Sequence, residues 1–447
     1  MIRKLGLIAI HRRALAATAL LTALGACSPN GTEIDLQGEP SPYLFTFLGD
    51  QDEQEADFLL TIDVDPASPN RGEPISTTPI GHRASMPHHM EYTRPPGDDV
   101  IFMNAHRHEL SMIVDIESAQ AVNIAHTFKP PTPFRFPHDY QRTPAGTRLV
   151  GFLRSDGASP DPDEETIPGN HGGIGEYAAD GELLRTVSAA APGLKKAVRP
   201  YAFALLPEID RFVVTSAPMM ESSWADVLQI YRYSDFKLLQ TLELPAGRDE
   251  NGEPIEGSQA AGFGPRILDD GTVFLNAYGC AFYHLSDIAA PAPDLKMVYT
   301  IETNPVPKNG RIRGACSIPV RMGDFWIQPV SDLNSVVVLD ISDPRAPREV
   351  HRLKTPKWFR PHWLAKDETS NRLVLGAELG GEDGFFILRI ARDTGEIDFD
   401  PDFSAQGRSG LFAKSLPGYI ALHRQDWPHG PSGKAWGHAA LFWRDDG

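Results

Sequence analysis

The sequence of 447 residues predicts an all-β fold, a seven-bladed β-propeller, and three observations support this prediction. First, helical periodicity is scarce. Second, segments that are apolar at alternate positions recur and close in Asp, Pro, Gly or Ser, as strands entering tight turns do. Third, these segments recur at a spacing similar to the length of one propeller blade. This favours a propeller over the alternative, an unrepeated pair of β-sandwiches.

The recurring segment is clearest at residues 336–344, where an apolar run ends in Asp340-Ile341-Ser342-Asp343-Pro344. We expect Asp340 and Asp343 to end a strand and turn the chain, because short acidic side chains favour turns. The segment therefore predicts the register of the blades and not a functional site. Its copies are centred on residues 63, 115, 176, 232, 284, 340 and 389.

Residues 1–26 are typical of a signal peptide. Four basic residues precede an uncharged run, residues 14–26, which is shorter than the roughly 20 residues of a membrane-spanning helix. The run ends in Leu24-Gly25-Ala26-Cys27, which resembles a bacterial lipobox. We therefore expect export to the periplasmic face of a bacterial membrane and a lipid anchor on Cys27. The pair Arg12-Arg13 leaves open whether export uses the Sec or the twin-arginine route.

Residues 27–42 are predicted to contain the lipidated cysteine and a flexible tether, and residues 43–447 to form one propeller. No Ser/Gly-rich or charged linker divides the repeats, so we expect a single domain. Alternation in residues 43–47 predicts a strand. Because the first strand of a closed propeller often completes the last blade, we expect this strand to pair near residues 439–443.

The composition limits the partners and the chemistry. The formal net charge is −17, so nucleic acid is not an expected partner, since that binding depends on neutralising phosphates. The acidity suits a solvated, exported protein. The sequence has no Gly-x-Ser-x-Gly elbow, phosphate-cradling loop or His-Glu-x-x-His motif, which argues against serine-hydrolase, nucleotide and zincin chemistry.

Besides Cys27 the chain has two cysteines, Cys280 and Cys316, which fall in adjacent repeats four and five. Export permits a disulfide, because oxidising compartments preserve such bonds. The two cysteines are one blade apart, so they could form a disulfide. They could equally be two buried free thiols. Both alternatives remain open from the sequence.

A second recurring element, a turn-like entry followed by a strand, lies between the copies of the first. Its position predicts the innermost strand of each blade, so the entry residues are expected to ring one mouth of the central channel. Proline precedes the entry residue in several copies. The seven entry positions are residues 89, 138, 201, 266, 317, 362 and 438.

Four of these positions are histidine, which points to a metal site. His362, His438, His89 and His138 belong to blades six, seven, one and two, which are consecutive because blade seven closes against blade one. Imidazole donors without a thiolate favour copper(II), with zinc as an alternative. The other interpretation is that the histidines bind exposed backbone groups at the mouth and hold no metal.

Further histidines are assigned by their place in the repeats. His88 and His429 are possible additional ligands, since each is close in sequence to a ring histidine. Glu91, Asp139 or a backbone carbonyl is a candidate to fix the tautomer of each ligating imidazole. His106 and His108 are expected on a solvated face, away from the channel.

Three arginines fall at or beside the predicted ring: Arg199, Arg266 and Arg360. They would form a cationic rim on an acidic protein, suited to an anionic or thiol-derived substrate. The alternative is that they pair with carboxylates such as Asp269 and have a structural role.

Together these segments resemble the selenium-binding protein family, whose members include methanethiol oxidases. The likeness extends over most of the chain after Cys27 and is most specific at the pair His88-His89, which follows an Asp-Val-Asp-Pro sequence. The segments that carry it are residues 43–50, 57–66, 87–92, 199–201, 337–344 and 360–364.

The resemblance implies a seven-bladed propeller and copper-dependent conversion of methanethiol, oxygen and water to formaldehyde, hydrogen sulfide and hydrogen peroxide. Better-known members carry a cysteine-rich stretch near the amino terminus, whereas this chain has no cysteine between Cys27 and Cys280. We therefore expect a copper-dependent oxidase of a small thiol. The alternative is a non-catalytic, lipid-anchored periplasmic propeller that binds copper or a protein partner.

Overall fold

Seven antiparallel sheets of at least four strands, together with one two-stranded hairpin, make up the described part of the chain. The computed structural model describes residues 34, 36–95, 97–156, 170–219, 223–303, 314–378, 384–401, 403 and 416–445. The seven-bladed propeller predicted from the sequence is confirmed. The predicted signal peptide, residues 1–26, and the lipidation site Cys27 lie outside the described residues.

Blade seven is built from both ends of the folded chain. Strand β1 (Tyr43–Asp50) pairs with the last strand, β31 (Ala435–Trp443), and places Tyr43 opposite Trp443. The predicted pairing of the first and last strands is therefore confirmed. The outer strands of this blade are β2 (Phe58–Asp63) and β3 (Pro74–Pro79).

Blades one to six follow in chain order, each running outward from an innermost strand beside the channel. Blade one contains β4 (Pro87–Met90), β5 (Val100–Ala105), β6 (Leu110–Ser118) and β7 (Ala121–Phe128). Blade two contains β8 (Phe134–Arg142), β9 (Arg148–Ser155), β10 (Gly173–Tyr177) and β11 (Leu183–Ser188). Blade three contains β12 (Pro200–Leu206), β13 (Arg211–Ser216), β14 (Val227–Arg232) and β15 (Leu238–Glu243).

Blade four contains β16 (Arg266–Ile267), β17 (Val273–Asn276), β18 (Ala281–Ser286) and β19 (Asp294–Thr300). Blade five contains β20 (Val320–Met322), β21 (Phe325–Val330), β22 (Ser335–Asp340) and β23 (Arg348–Lys354). Blade six contains β24 (Pro361–Lys366), β25 (Arg372–Ala377), β26 (Gly384–Ile390) and β27 (Ile397–Phe399), and β28 (Tyr419–Ala421) also pairs with β26. The hairpin is β29 (Asp426–Trp427) with β30 (Gly430–Pro431).

The described helical segments are short 3-10 turns: His106–His108, Pro207–Ile209 and Ser331–Leu333. Among the described residues, no helix has the length and apolarity needed to cross a membrane.

The recurring acidic segment is the third strand of every blade, counted from the channel. This strand is paired on both edges, and in β22 all residues before Asp340 are buried. The Asp340 carboxylate then accepts the backbone N–H of Ser342 and pairs with Arg348. The segment is thus a strand followed by a turn, as predicted.

Polar side chains of the second strands fix the next blade's innermost strand. Asn104 accepts the backbone N–H of His89 and donates to the carbonyl of Pro137 in blade two. Asn276 makes the corresponding link from blade four to the carbonyl of Cys316 at the entry of blade five. These links join the entry of blade one to that of blade two, and the entry of blade four to that of blade five.

A disulfide joins blades four and five. Cys280, just before β18, is bonded to Cys316, just before β20, with the two Cα atoms 5.2 Å apart. The bond adds a covalent link beside the backbone contact that Asn276 makes to the same residue, Cys316. Of the two alternatives left open by the sequence, the disulfide is the one present.

Candidate metal centre

The four predicted ligands lie on the innermost strands of four consecutive blades. His362 is in β24, His438 in β31, His89 in β4 and His138 in β8. All four side chains are buried, with His138 and His438 wholly inaccessible to solvent. The inner strands therefore carry these imidazoles into the protein interior around the channel axis.

The histidine nitrogens that lie closest together do not all belong to the four predicted ligands. Ligating nitrogens of His88, His89 and His438 lie within 4.8 Å of one another. The Nε2 atoms of His88 and His138 are 3.1 Å apart, and the rings of His89 and His138 are 4.0 Å apart. We call His88, His89, His138 and His438 the histidine cluster.

Three members of the cluster have one ring nitrogen held by an oxygen. The Nδ1 atoms of His89, His138 and His438 contact the Asp139 carboxylate at 3.2 Å, the Tyr201 carbonyl at 3.4 Å and the Ala377 carbonyl at 3.2 Å, respectively. Donation from Nδ1 to an oxygen leaves Nε2 as the lone-pair nitrogen, the arrangement typical of metal-ligating histidines.

The cluster offers neutral imidazole nitrogens to a metal. The Nε2 atoms of His89 and His438 and the Nδ1 atom of His88 are buried and have no hydrogen-bond partner within the described part of the chain. Burial, followed by repulsion from neighbouring imidazoles, lowers the pKa of each cluster histidine well below its usual range. Since a metal binds the deprotonated imidazole, these residues fit a copper(II) or zinc ion.

His88 was predicted only as an additional ligand, but the structure places it within the cluster. The pairing of β4 with β5 shifts register between Pro87 and Met90. In a regular strand His88 and His89 would point to opposite faces. The irregularity brings both rings to the same side, 4.5 Å apart. The sulfur of Met219 also lies 3.3 Å from His88 Nε2, which adds a soft donor at the edge of the cluster.

His362 lies beside the cluster. Its ring is 4.7 Å from that of His438. Like His138, it is outside the set of three nitrogens that lie within 4.8 Å of one another, but unlike His138 it has no nitrogen–nitrogen contact with a cluster histidine among the described residues. Its other neighbours are aromatic, with Tyr278 at 6.3 Å and Phe263 at 6.4 Å. Burial, then nearby His89 and Arg360, lowers the pKa of His362 to about 3, so it too is neutral.

Two other histidines differ from the sequence interpretation. His429 was predicted as a possible additional ligand, but its two ring nitrogens contact the hydroxyls of Thr77 and Ser432, and no described contact joins it to the cluster. His106 is not on a solvated face: it is buried, 5.5 Å from the His88 ring, and burial lowers its pKa to about 4. It was missed because the 3-10 turn that it begins follows no strand alternation. His108, in the same turn, is exposed as expected.

A polar layer lies next to the cluster. Tyr92 donates to the Asp139 oxygen that also contacts His89, and the tyrosine ring is stacked on Trp363 at 5.0 Å. The Arg266 guanidinium lies 4.9 Å over the Tyr92 ring. Burial raises the pKa of Asp139 to about 7 although Tyr92 and Arg266 oppose that shift. A chain of contacts thus joins Arg266 to His89.

Tyr92 and Arg266 line a cavity of about 610 Å³ formed where the innermost strands end. Arg142, Arg321 and Lys366 also line it, together with Glu91 and Glu208, so its wall contains four cations and two carboxylates. Arg142 pairs with Glu91 and Arg321 with Asp269, whereas the described hydrogen bonds of Arg266 go to the carbonyl oxygens of Pro265 and Pro319.

The three predicted rim arginines therefore do not form one surface. Arg199 is buried and donates to the carbonyls of Leu153 and Ser223. Arg360 pairs with Glu378, so the structural alternative holds for this residue. Of the three, Arg266 is the one that lines the cavity. The long side chains of arginine are directed by tertiary partners, which the repeat register does not specify.

Solved structures share the fold at low sequence identity. A hypothetical selenium-binding protein from Sulfolobus tokodaii is 13% identical, with a TM-score of 0.64 over 90% of this chain and 93% of the other. A putative 6-phosphogluconolactonase from Bacteroides fragilis is 10% identical, with a TM-score of 0.52 over 85% and 97%. A functionally unknown protein from Desulfotomaculum acetoxidans is 11% identical, with a TM-score of 0.50 over 80% and 99%.

These likenesses show the propeller fold and a distant resemblance to a selenium-binding protein. No protein-family model and no curated protein matches the chain.

Proposed function

We propose that the protein is a copper-dependent oxidase of a small thiol such as methanethiol. The observation that carries the proposal is the histidine cluster: four buried, neutral imidazoles, three of them oriented through Nδ1 by an oxygen. The distant likeness to a hypothetical selenium-binding protein supports it, since methanethiol oxidases belong to the family that the sequence resembles.

His88, His89, His138 and His438 would hold the copper. When bound, copper would supply the redox centre through which oxygen oxidises the thiol. All-nitrogen ligation suits copper(II), and the nearby Met219 sulfur suits the reduced ion. Zinc is the alternative occupant, because imidazole binds it as well, but zinc has no redox chemistry to offer.

The cavity beside Arg266 is the proposed approach for a thiolate. The Arg266 guanidinium, whose described hydrogen bonds go to carbonyl oxygens, would attract a small anion at this cavity on a protein of net charge −17. Tyr92 and Asp139 lie between this cavity and His89, so they would exclude bulk water from the cluster and hold its orientation. Asp139 accepts the Tyr92 hydroxyl proton in a hydrogen bond and fixes the His89 tautomer.

The proposed location is the periplasmic face of a bacterial membrane, with Cys27 carrying the lipid. The lipobox-like sequence before Cys27 supports this, and the Cys280–Cys316 disulfide is typical of an oxidising compartment. A solvated, acidic propeller tethered there would meet small thiols that diffuse through the periplasm. No nucleic acid is proposed as a partner.

The second candidate is a non-catalytic propeller that binds copper at the same cluster or uses its surface for a protein partner. The burial of the cluster favours this candidate, because His138 and His438 have no contact with solvent. The missing amino-terminal cysteines also remove the stretch that better-known family members carry.

Two measurements on the exported protein test the proposal. Metal analysis should find one copper per chain, and oxygen uptake with methanethiol should depend on that copper. His89→Ala with His438→Ala should lose both, while the control His429→Ala should keep both, because His429 contacts Thr77 and Ser432 instead. Copper binding without oxygen uptake would favour the copper-binding form of the second candidate. Absence of copper from the wild type would contradict the oxidase and the copper-binding protein, and would leave the propeller that binds a protein partner.

A further inference from the structure

Met219 contacts the histidine cluster from outside the innermost strands. It lies between β13 and β14, and its sulfur is 3.3 Å from the Nε2 atom of His88. The same nitrogen lies 3.1 Å from the Nε2 atom of His138. His88 Nε2 is therefore in contact with two further atoms that can bind a metal, a thioether sulfur and an imidazole nitrogen.

Met219 is the partly exposed member of this group. His88 is 3% exposed and His138 is wholly buried, whereas Met219 is half-buried. The other two cluster histidines, His89 and His438, are also buried. Along this contact an ion that arrives from solvent would therefore meet Met219 before it meets the imidazole nitrogens.

The contact lies at the end of the channel where the innermost strands begin. Ser216, the last residue of β13, pairs with Pro200, the first residue of β12, and Met219 follows three positions after Ser216. The cavity proposed for the thiolate lies where these strands end, because Leu205 and Pro207 line it. The metal and the thiolate would therefore approach the cluster from opposite ends of the channel.

The thioether of Met219 is a selective metal donor. It is soft and uncharged, so it favours copper(I) over harder divalent ions. As a hydrogen-bond acceptor the sulfur is weak, so its contact with a neutral imidazole adds little to the stability of the metal-free protein. The sulfur at this position therefore matters most to a soft, monovalent ion.

Met219 also packs against the hydrophobic core, as Phe136 and Trp224 do. A packing role needs an apolar side chain of this size but does not need a sulfur. Leucine has a similar volume and usually replaces methionine at low cost in stability. Substitution of Met219 by leucine therefore separates the contribution of the sulfur from that of packing.

We infer that Met219 Sδ joins His88 Nε2 as a ligand of copper(I) at the outer side of the cluster, and that the sulfur is the first ligand the ion meets. The inference rests on the proposed function, because it takes the cluster to be a copper site. It goes further by giving the metal an approach separate from the thiolate cavity. The ion keeps its charge as it binds, so the step needs no oxidant or reductant.

Silver(I) binding to the metal-free, full-length protein tests the inference. Silver(I) is a soft, monovalent ion that replaces copper(I) in the experiment and is not oxidised by air. Met219→Leu should lower silver(I) affinity by at least tenfold and slow its uptake, because even a residue that only orients a ligating histidine contributes about 10- to 100-fold. Zinc affinity should stay within about twofold of the wild type, since nitrogen, oxygen and thiolate ligands suit that ion. Competition with a chelator measures both affinities, and stopped-flow mixing measures uptake.

Met297→Leu is the matched control. Met297 is also half-buried and its sulfur accepts the Thr300 hydroxyl at 3.8 Å, but it lies in β19, the outermost strand of blade four. Its substitution should change neither silver(I) nor zinc affinity. His88→Ala should weaken the binding of both ions, because an imidazole serves both. Thermal unfolding verifies that each variant is folded.

The outcomes separate this inference from the proposed function. Unchanged silver(I) affinity and uptake in Met219→Leu would overturn the inference and leave the proposed function standing, since the histidines would then bind the metal without the sulfur. An equal loss of silver(I) and zinc affinity in that variant would also overturn it, because the methionine would then act through packing. Wild-type protein that binds no copper would overturn the inference together with the copper-dependent oxidase.

Discussion

The two halves of the ring present different chemistry to the channel. Blades six, seven, one and two contribute histidine at every ring position. Blades three, four and five contribute Tyr201, Arg266 and Ser317, and two of these three blades are joined by the Cys280–Cys316 disulfide. We call these the histidine half and the disulfide half. The histidine half offers ligands for a metal that would link its blades. The disulfide half already contains a covalent link between two of its blades.

The backbone is built alike in both halves. Asn104 in the histidine half and Asn276 in the disulfide half each accept a backbone N–H at the entry of their own blade and donate to a carbonyl at the entry of the next. The histidines are therefore not needed to position the inner strands. This difference argues that their imidazoles serve a ligand, because the disulfide half reaches the same register without them.

Acid should destabilise the histidine half more than the disulfide half, and the difference should be largest in the metal-free protein. The cluster histidines, His106 and His362 have folded-state pKa values below the usual 6.5. Below pH 6.5 the unfolded chain binds more protons than the folded protein, so stability falls as pH decreases. Each such histidine contributes a slope of about 1.4 kcal/mol per pH unit, and the protein should unfold before pH 4.

Asp139 opposes this trend. Its folded-state pKa is raised to about 7, so between its unfolded value near 3.8 and pH 7 the folded protein holds the extra proton. Asp139, Glu91 and Asp50, whose pKa values burial raises, act against six histidines, and the net slope keeps its sign. Urea midpoints between pH 7.5 and 5 measure the effect, and amide exchange should rise first in β4 and β8. A midpoint that does not move with pH would contradict the neutral, buried state of these histidines.

Removing the disulfide should destabilise the disulfide half. Cys280→Ala with Cys316→Ala opens a cross-link between residues separated by 36 positions, and we expect a loss of about 2–4 kcal/mol, chiefly because the unfolded chain gains freedom. Urea denaturation measures it. Copper affinity should stay within about twofold of the wild type. A large loss of copper affinity would show that the two halves are not independent.

Much of this arrangement follows from sequence periodicity. The alternation and the recurring acidic turn predict the blade register, and that register correctly assigns His89, His138, His362 and His438 to four consecutive inner strands. Strand pairing repeats in every blade, so its signal accumulates over seven copies. A local exception in one blade carries no such repeated signal.

Local departures from the repeat pattern determine which histidines contact one another. Strict alternation assigns His88 to the face opposite His89, but the irregular pairing of β4 brings both together. His106 enters the interior from a 3-10 turn whose geometry has no counterpart in the repeat pattern. The direction of Arg199 depends on carbonyls in neighbouring segments. These features arise from tertiary contacts, so single-chain patterning does not contain them.

Asp139→Asn should weaken copper binding by about 10- to 100-fold, because a carboxylate that orients a ligating histidine typically contributes that much. The amide can present its NH₂ group to His89 Nδ1 and so favour the wrong tautomer. Competition with a chelator of known affinity measures the change. Asp269→Asn is the matched control, since Asp269 pairs with Arg321 on the surface. Equal affinities in both variants would remove Asp139 from the site.

Tyr92→Phe should have the smallest effect, because it keeps the stacked ring on Trp363 and removes only the hydroxyl that donates to Asp139. We expect copper affinity to fall about two- to tenfold, the range of a single hydrogen bond. If Tyr92 acts on the metal through Asp139, the substitution should change nothing further in an Asp139→Asn background.

A double-mutant cycle therefore tests whether Tyr92 affects the cluster through Asp139 or independently of it. Full additivity of Tyr92→Phe and Asp139→Asn would mean that the tyrosine affects the cluster by another route, such as its stack on Trp363, whose ring lies 5.3 Å from that of His89. Non-additivity would identify Asp139 as the link between the cavity and the histidine half. The disulfide half also reaches the cluster, through the Tyr201 carbonyl that contacts His138 Nδ1. No contact between the Ser317 hydroxyl and a cluster histidine is described, so the same cycle made with Ser317→Ala and Asp139→Asn should be additive.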